Sequence, residues 1–175
     1  GRWRAGVFTP ANASTATPTY AAFLGIMSRP VTPRRAAVRA AWLGDVRGLE
    51  AAGVYARFVI GLPPPGDSDA AAIEAALAEE AATHGDLFRV GAVESYDSLL
   101  LKVLAFFREA VASVDASFYL KADDDLFVRP DRVPAAVAQW DADGAGYTGC
   151  MFLGGEMIAD RASPFYEPHG PLFSG

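Results

Sequence analysis

Three consecutive aspartates, Asp123, Asp124 and Asp125, follow the apolar run Phe118-Tyr119-Leu120-Lys121-Ala122 and precede a second one, Leu126-Phe127-Val128. Adjacent carboxylates repel one another, and a fold that keeps them together supplies a cation among them. A divalent metal carrying a diphosphate meets that need, because hard cations take carboxylate oxygens and share themselves with phosphates. A solvated acidic turn or a helix N-cap would use the same residues without any ligand. Upstream, Arg29, Arg34, Arg35 and Arg39 fall within eleven residues of one another. Guanidinium groups at a strand end and a helix start suit phosphate by charge and by fork geometry. Arg35 and Arg39 are four apart and share one side of a helix, whereas Arg34 reads as part of a solvated face. A nucleoside diphosphate bridged by a divalent cation accounts for both clusters at once.

The elements that must position these groups alternate along the chain. Ala22–Ser28 is a short continuous apolar run, as in a strand buried on both faces. Thr32 as N-cap, with Pro33 at the first helical position, opens a helix through about Leu43. A second strand is expected at Tyr55–Gly61, and a helix capped by Ser68 or Asp69 runs to about Thr83, stopped by His84-Gly85. A third strand at Asp86–Val90 sits on the sheet margin. The helix at 96–112 carries Leu99, Leu100, Val103, Leu104, Phe107 and Val111, which read as a wide buried stripe. After the strand that leads into the aspartates come a helix near Arg132–Trp140 and a strand near 147–152. Such alternation predicts an α/β domain with a mainly parallel sheet and helices on both faces. Ligands of these sheets bind beyond the carboxyl ends of the strands, where Ser28-Arg29 and the aspartates both fall.

Bulk properties exclude more than they assign. With 51% hydrophobic residues in 175, the chain can bury a core as one domain. A net charge of −6 argues against nucleic-acid binding by phosphate neutralisation. The single Cys150 leaves the redox compartment open. No apolar run approaches the ~18 residues of a membrane span, so any membrane attachment lies in a segment absent from this chain. Residues 1–19, rich in Pro, Thr, Ala and Ser, read as a flexible tail or linker, and residues 20–175 as the domain. Asn12-Ala13-Ser14 is a glycosylation sequon, of consequence only in a secretory lumen.

Read in order, the motifs resemble those of the β-1,3-galactosyltransferase-like inverting glycosyltransferases. Arg35-Ala36-Ala37-Val38-Arg39-Ala40-Ala41-Trp42 looks like that family's Arg-x-x-x-Arg-x-x-Trp helix, and Arg57-Phe58-Val59-Ile60-Gly61 its second strand. Glu80, Asp86, Ser95-Tyr96, Leu99 and Lys102 follow its Glu…Asp…(Ser/Thr)-Tyr-x-x-Leu-x-x-Lys pattern. Phe118–Asp125 looks like its metal motif. Tyr147-Thr148-Gly149-Cys150-Met151 and Tyr166-Glu167-Pro168 are similar to stretches of plant and green-algal members. The resemblance covers roughly residues 20–168.

It implies a GT-A-like (Rossmann-type) fold lacking its C-terminal part, a UDP-galactose donor, Mn²⁺, a glycan or glycoprotein acceptor and a Golgi-lumenal membrane protein. By the same resemblance Asp125 is the direct metal ligand. Asp123 reaches the ribose or the metal, and Asp124 supports them. Ser28, Arg35 and Arg39 lie along the nucleotide, with Lys102 near the donor or the acidic cluster. Ser98 and Leu100 stand where the family usually has Asn and Thr. In the family a Glu-Asp-Val-type motif in a further segment supplies the general base, and nothing in 126–175 matches it. Asp141, Asp143, Glu156, Asp160 and Glu167 are candidates by type alone and read as surface carboxylates, and His169 reads as a solvent-exposed loop residue. Two other readings stay open. One is a non-catalytic UDP- and metal-binding fragment. The other is a metal-dependent phosphohydrolase or nucleotidyltransferase, weakened because the first strand ends in Ser28-Arg29 rather than in a nucleophilic aspartate.

Overall fold

The computed structural model describes residues 3–4, 7–8, 19–95, 97–149, 160–163 and 166. Two short strands, β1 (Trp3–Arg4) and β2 (Val7–Phe8), pair antiparallel inside the stretch expected to be a tail. The sequon and Tyr96 lie outside the described residues. From residue 20 the order is β3 (Tyr20–Met27), α1 (Arg34–Val38), α2 (Val46–Ala51), β4 (Val54–Leu62), α3 (Ala70–His84), β5 (Leu87–Val93), α4 (Leu99–Ser113), β6 (Ala116–Asp123) and α5 (Val133–Ala142). Four strands form one all-parallel sheet in the order β5-β4-β3-β6. This is the expected α/β, Rossmann-type arrangement, with β5 at one margin.

Helices cover both faces, and strand alternation assigns the side chains. Leu24, Ile26, Ala56, Phe58 and Ile60 pack on one face against Val38, Leu43, Val46, Leu77, Val133 and Val137, which come from the α1, α2, α3 and α5 side. On the other face Phe23, Met27 and Val59 meet Ala105, Phe106 and Ala110 of α4. Phe23 lies edge-on to Tyr55, Phe88 and Phe106 with ring centroids 5.1, 5.1 and 5.3 Å away. Such pairs add to the area term of burial. Gly25 is required at this contact, because a Cβ there would stand 2.2 Å from Phe106 Cζ.

Three expectations need correction. The stripe expected to be buried on α4 is only partly so: Val103 and Phe107 pack against the core, whereas Leu100 is 76% exposed and Leu104 62%, and Leu99 and Val111 are exposed with them. The buried side carries Lys102, Ala105, Phe106 and Ala110. Small alanines let the helix approach the sheet, and the Phe106 ring fills the space that Gly25 leaves open. Second, α2 was not foreseen. Asp45 caps it, its carboxylate accepting from the Arg47 and Gly48 amides at 3.0 and 3.2 Å. Third, no strand is present over 147–149, and residues 150–152 of that expected strand lie outside the described residues.

Helix α1 starts one residue later than expected. Pro33 occupies the cap position, while the Thr32 hydroxyl still accepts the Arg34 amide at 3.1 Å. The helix continues as a π-type turn over Arg39–Leu43.

Candidate donor-binding cleft

Parallel register sets the carboxyl ends of β3 and β6 level, while β4 runs on to Leu62. Met27 lies beside Val59 on β4 and beside Asp123 on β6. The chain leaves β3 at Ser28, whose amide donates to Val59 O at 3.2 Å, and Asp124 N donates to Met27 O at 3.2 Å. An open cleft of about 780 Å³ sits over these ends, lined among others by Ser28, Arg29, Arg34, Glu94, Lys102 and the three aspartates. That volume suits a nucleotide-sized ligand.

Each aspartate has a different partner. Ser28 Oγ donates to Asp124 at 2.8 Å, and Arg34 Nη1 donates to the other oxygen of Asp124 at 3.1 Å. The same Arg34 nitrogen reaches Asp125 at 3.3 Å. Asp123 pairs with Lys121 at 2.8 Å. Arg34 had read as a solvated face. Its side chain is exposed as that reading requires, and its guanidinium also lies across the aspartates, whose carboxylates raise its pKa, Asp124 most.

Lys102 lies beneath the cleft floor at 3% exposure. Its ammonium donates to Ser28 O at 2.5 Å and to both oxygens of Glu94 at 2.8 Å. Burial lowers its pKa, opposed by the Glu94 carboxylate. Glu94 also accepts the Gly61 amide at 2.9 Å. A side chain at Gly61 would stand 2.6 Å from Ala92 O and 2.8 Å from Glu94 Oε2, so the approach needs glycine. Sequence reasoning missed Glu94. The only available signal was an acid following a strand near a lysine that proves to be buried.

Arg35 and Arg39, expected along the nucleotide, do not line the cleft. Arg35 is 4% exposed. It donates to Glu80 through Nε at 2.7 Å and Nη2 at 2.5 Å, to Pro30 O at 3.1 Å, and to Arg29 O. Its Nη1 reaches Ser28 Oγ at 3.4 Å. Arg39 donates to Glu80 at 2.6 Å and to Asp86 at 2.7 and 2.8 Å. These hydrogen bonds, Arg35's first among them, hold Glu80 down at a pKa of about 2. The two arginines therefore tie α1 to α3 and to the start of β5, and Arg35 braces the loop that carries Ser28.

A divalent cation is implied by the acidic motif. Five carboxylates, Asp67, Glu94, Asp123, Asp124 and Asp125, line the cleft against three cations, Arg29, Arg34 and Lys102. An anionic ligand entering this lining needs additional positive charge. Among the described residues no group of three or more His, Cys, Asp and Glu side chains is arranged to hold a metal by itself. One or two carboxylates suit a cation that completes its shell with phosphate and water, as hard cations on nucleotides do. The donor set fits such an ion.

Asp141, Asp143 and Asp160 are exposed, with Asp143 accepting from Gln139 and Asp160 from the Ala162 amide. None of the three lines the cleft. Glu156, Glu167 and His169 lie outside the described residues. Ser98, at the start of α4, donates to Val93 O at 2.6 Å and so closes the turn before the helix.

A parallel α/β sheet with a charged cleft over its strand ends is a Rossmann-type architecture, in which ligands bind at that edge of the sheet. The comparisons narrow it. The family model described as Galactosyltransferase matches residues 33–172. Over 144 residues the chain is 37% identical to a probable beta-1,3-galactosyltransferase 13 of Arabidopsis thaliana, a stretch covering 79% of this chain and 40% of that protein. It is 39% identical over 129 residues to beta-1,3-galactosyltransferase 6 of Mus musculus, covering 71% of this chain and 38% of the other. The Arabidopsis beta-1,3-galactosyltransferase 7 is 34% identical over 144 residues, covering 77% and 36%. The chain belongs to the galactosyltransferase family. It spans about two-fifths of the length of the curated relatives it matches.

Proposed function

We propose that the cleft binds a UDP-sugar, UDP-galactose, with a divalent cation, and that the chain is the donor-holding part of a Golgi-lumenal β-1,3-galactosyltransferase acting on a glycan or glycoprotein acceptor. The observation that carries this reading is the convergence of Ser28, Arg34, Lys102 and Asp123–Asp125 at level strand ends, in a chain of this family. Asp125 and Asp123 would hold Mn²⁺, which when bound supplies Lewis-acid help to the departing diphosphate. Both Asp124 oxygens are engaged, one by Ser28 Oγ and one by Arg34, so it backs its two neighbours rather than competing for the same ion. Lys102 fixes Ser28 from beneath by holding its carbonyl. Inverting transfer also needs a base on the face of the sugar opposite the diphosphate.

A second reading is a unit that holds the donor without transferring it. It is favoured by the position of Asp141, Asp143 and Asp160, all outside the cleft. Calorimetry with UDP and Mn²⁺ on wild type and Asp125→Ala tests what both readings share. Binding should require the metal and vanish in the variant, and a wild type indifferent to UDP would sink both. Turnover of UDP-galactose by this chain then separates them, since only the transferase reading expects galactose release.

A further inference from the structure

We propose that Arg29 is the residue of the cleft that grips the donor's diphosphate, presented from a loop whose carbonyls two buried cations hold back. This inference rests on the donor-binding reading above and assigns a phosphate ligand within it.

The three cations that line the cleft are not equally available. Arg34 spans Asp124 and Asp125. Lys102 is enclosed between Glu94 and the Ser28 carbonyl. Arg29 is exposed, and among the described residues its side chain has no hydrogen bond or ion pair. Arg29 lines the same cleft as the aspartates, Glu94 and Lys102.

The backbone beneath it is fixed at three successive carbonyls. Ser28 O accepts from Lys102 at 2.5 Å, Arg29 O from Arg35, and Pro30 O from Arg35 at 3.1 Å. Pro30 restricts Arg29 to extended backbone, and Pro33 stiffens the approach to α1. The root of the Arg29 side chain is thus immobilised before a ligand arrives, which lowers the ordering cost of binding. A planar fork with free donors matches adjacent phosphate oxygens two at a time. Arg35 is then a positioning residue. It touches the loop and never the nucleotide.

The test is calorimetry in Mn²⁺ with UDP and, separately, with uridine, on wild type, Arg29→Gln and Arg29→Lys. Loss of a charge-assisted fork should weaken UDP at least ten-fold in Arg29→Gln while leaving uridine unchanged. Arg29→Lys should recover part of the loss, since it restores charge without the fork. All three proteins should melt together, because the side chain has no partner to lose. Arg29→Gln binding UDP as wild type does would overturn the assignment alone, leaving the donor reading intact. Equal losses for UDP and uridine would also overturn it, as the signature of a disturbed loop. Wild type that ignores UDP would overturn the donor reading and this one with it.

Discussion

Two acidic clusters in this molecule are met by arginines from the same helix, and they are put to opposite uses. Glu80 and Asp86 take Arg35 and Arg39 into a network where the Asp86 side chain is 3% exposed and Glu80 19%. Asp124 and Asp125 take Arg34, whose side chain is 56% exposed, and Asp125 itself is 59% exposed. Both places pair guanidinium with carboxylate, so chemistry alone does not separate them. Burial does. A guanidinium enclosed with its carboxylates has no exchange partner and serves the fold. One that meets carboxylates in water is screened, contributes little and is replaceable.

The largest effect should come from breaking the enclosed cluster. Glu80→Ala leaves two guanidinium groups without their shared carboxylate, and removing one partner of a buried pair costs about 3–5 kcal/mol. Urea denaturation should show that loss. If the alanine variant does not fold, Glu80→Gln, which keeps hydrogen-bond acceptance, gives a smaller loss that can be measured. A stability equal to wild type would mean that the network is ornamental and the comparison empty.

The same cluster predicts a pH signature. The Glu80 pKa is held to about 2 in the folded chain, against an ordinary value of 4.5. A depressed carboxyl contributes stability that is complete above 4.5 and is lost as pH falls from there towards 2. After discounting for the solvent that reaches its outer edge, the contribution is about 2 kcal/mol. Denaturant midpoints measured from pH 6 to pH 3 should fall in wild type and fall less in Glu80→Gln.

Lys102 is the intermediate case, enclosed like Arg35 yet at the cleft floor. Lys102→Met keeps the length of the stem but strands Glu94 with only the Gly61 amide. That change should cost about 1–3 kcal/mol and also weaken UDP binding, because the Ser28 carbonyl is released. Loss of stability with unchanged UDP affinity would move Lys102 into the purely structural class.

These distinctions were only partly legible in the sequence. Strand and helix order followed from apolar runs and breakers, and the aspartates were placed at a strand end because Phe118–Ala122 reads as strand. Which arginine lines the cleft was not legible. Arg34 and Arg35 are adjacent, roughly 100° apart around a helix, and only the docking of α1 on α3 decides which one is enclosed. Helix α4 misled for a related reason. Its leucines outnumber its alanines, yet Ala105, Ala110 and Phe106 fit the surface that Gly25 opens, and Lys102 comes to the buried side with them. Periodicity records hydrophobicity and not shape, so the choice between two partly apolar faces was settled by packing.

The smallest predicted effect is the sharpest probe of the comparison. Arg34→Ala removes an exposed cation that lies on exposed Asp125 and on Asp124, whose side chain is 9% exposed but keeps the Ser28 hydroxyl, so melting should shift only slightly. If Asp125 holds Mn²⁺, Arg34 competes with the ion for its carboxylate, and its removal should tighten Mn²⁺ binding by a few-fold in the absence of nucleotide. Arg35→Ala, one residue along, should instead lower stability severely, with any change in metal binding following from the loosened loop. A clear fall in melting temperature for Arg34→Ala, matching that of its neighbour, would show that exposure does not divide the two clusters. Tighter metal binding with a nearly unmoved melting point would establish that α1 turns one guanidinium to the cleft and its neighbour to the fold.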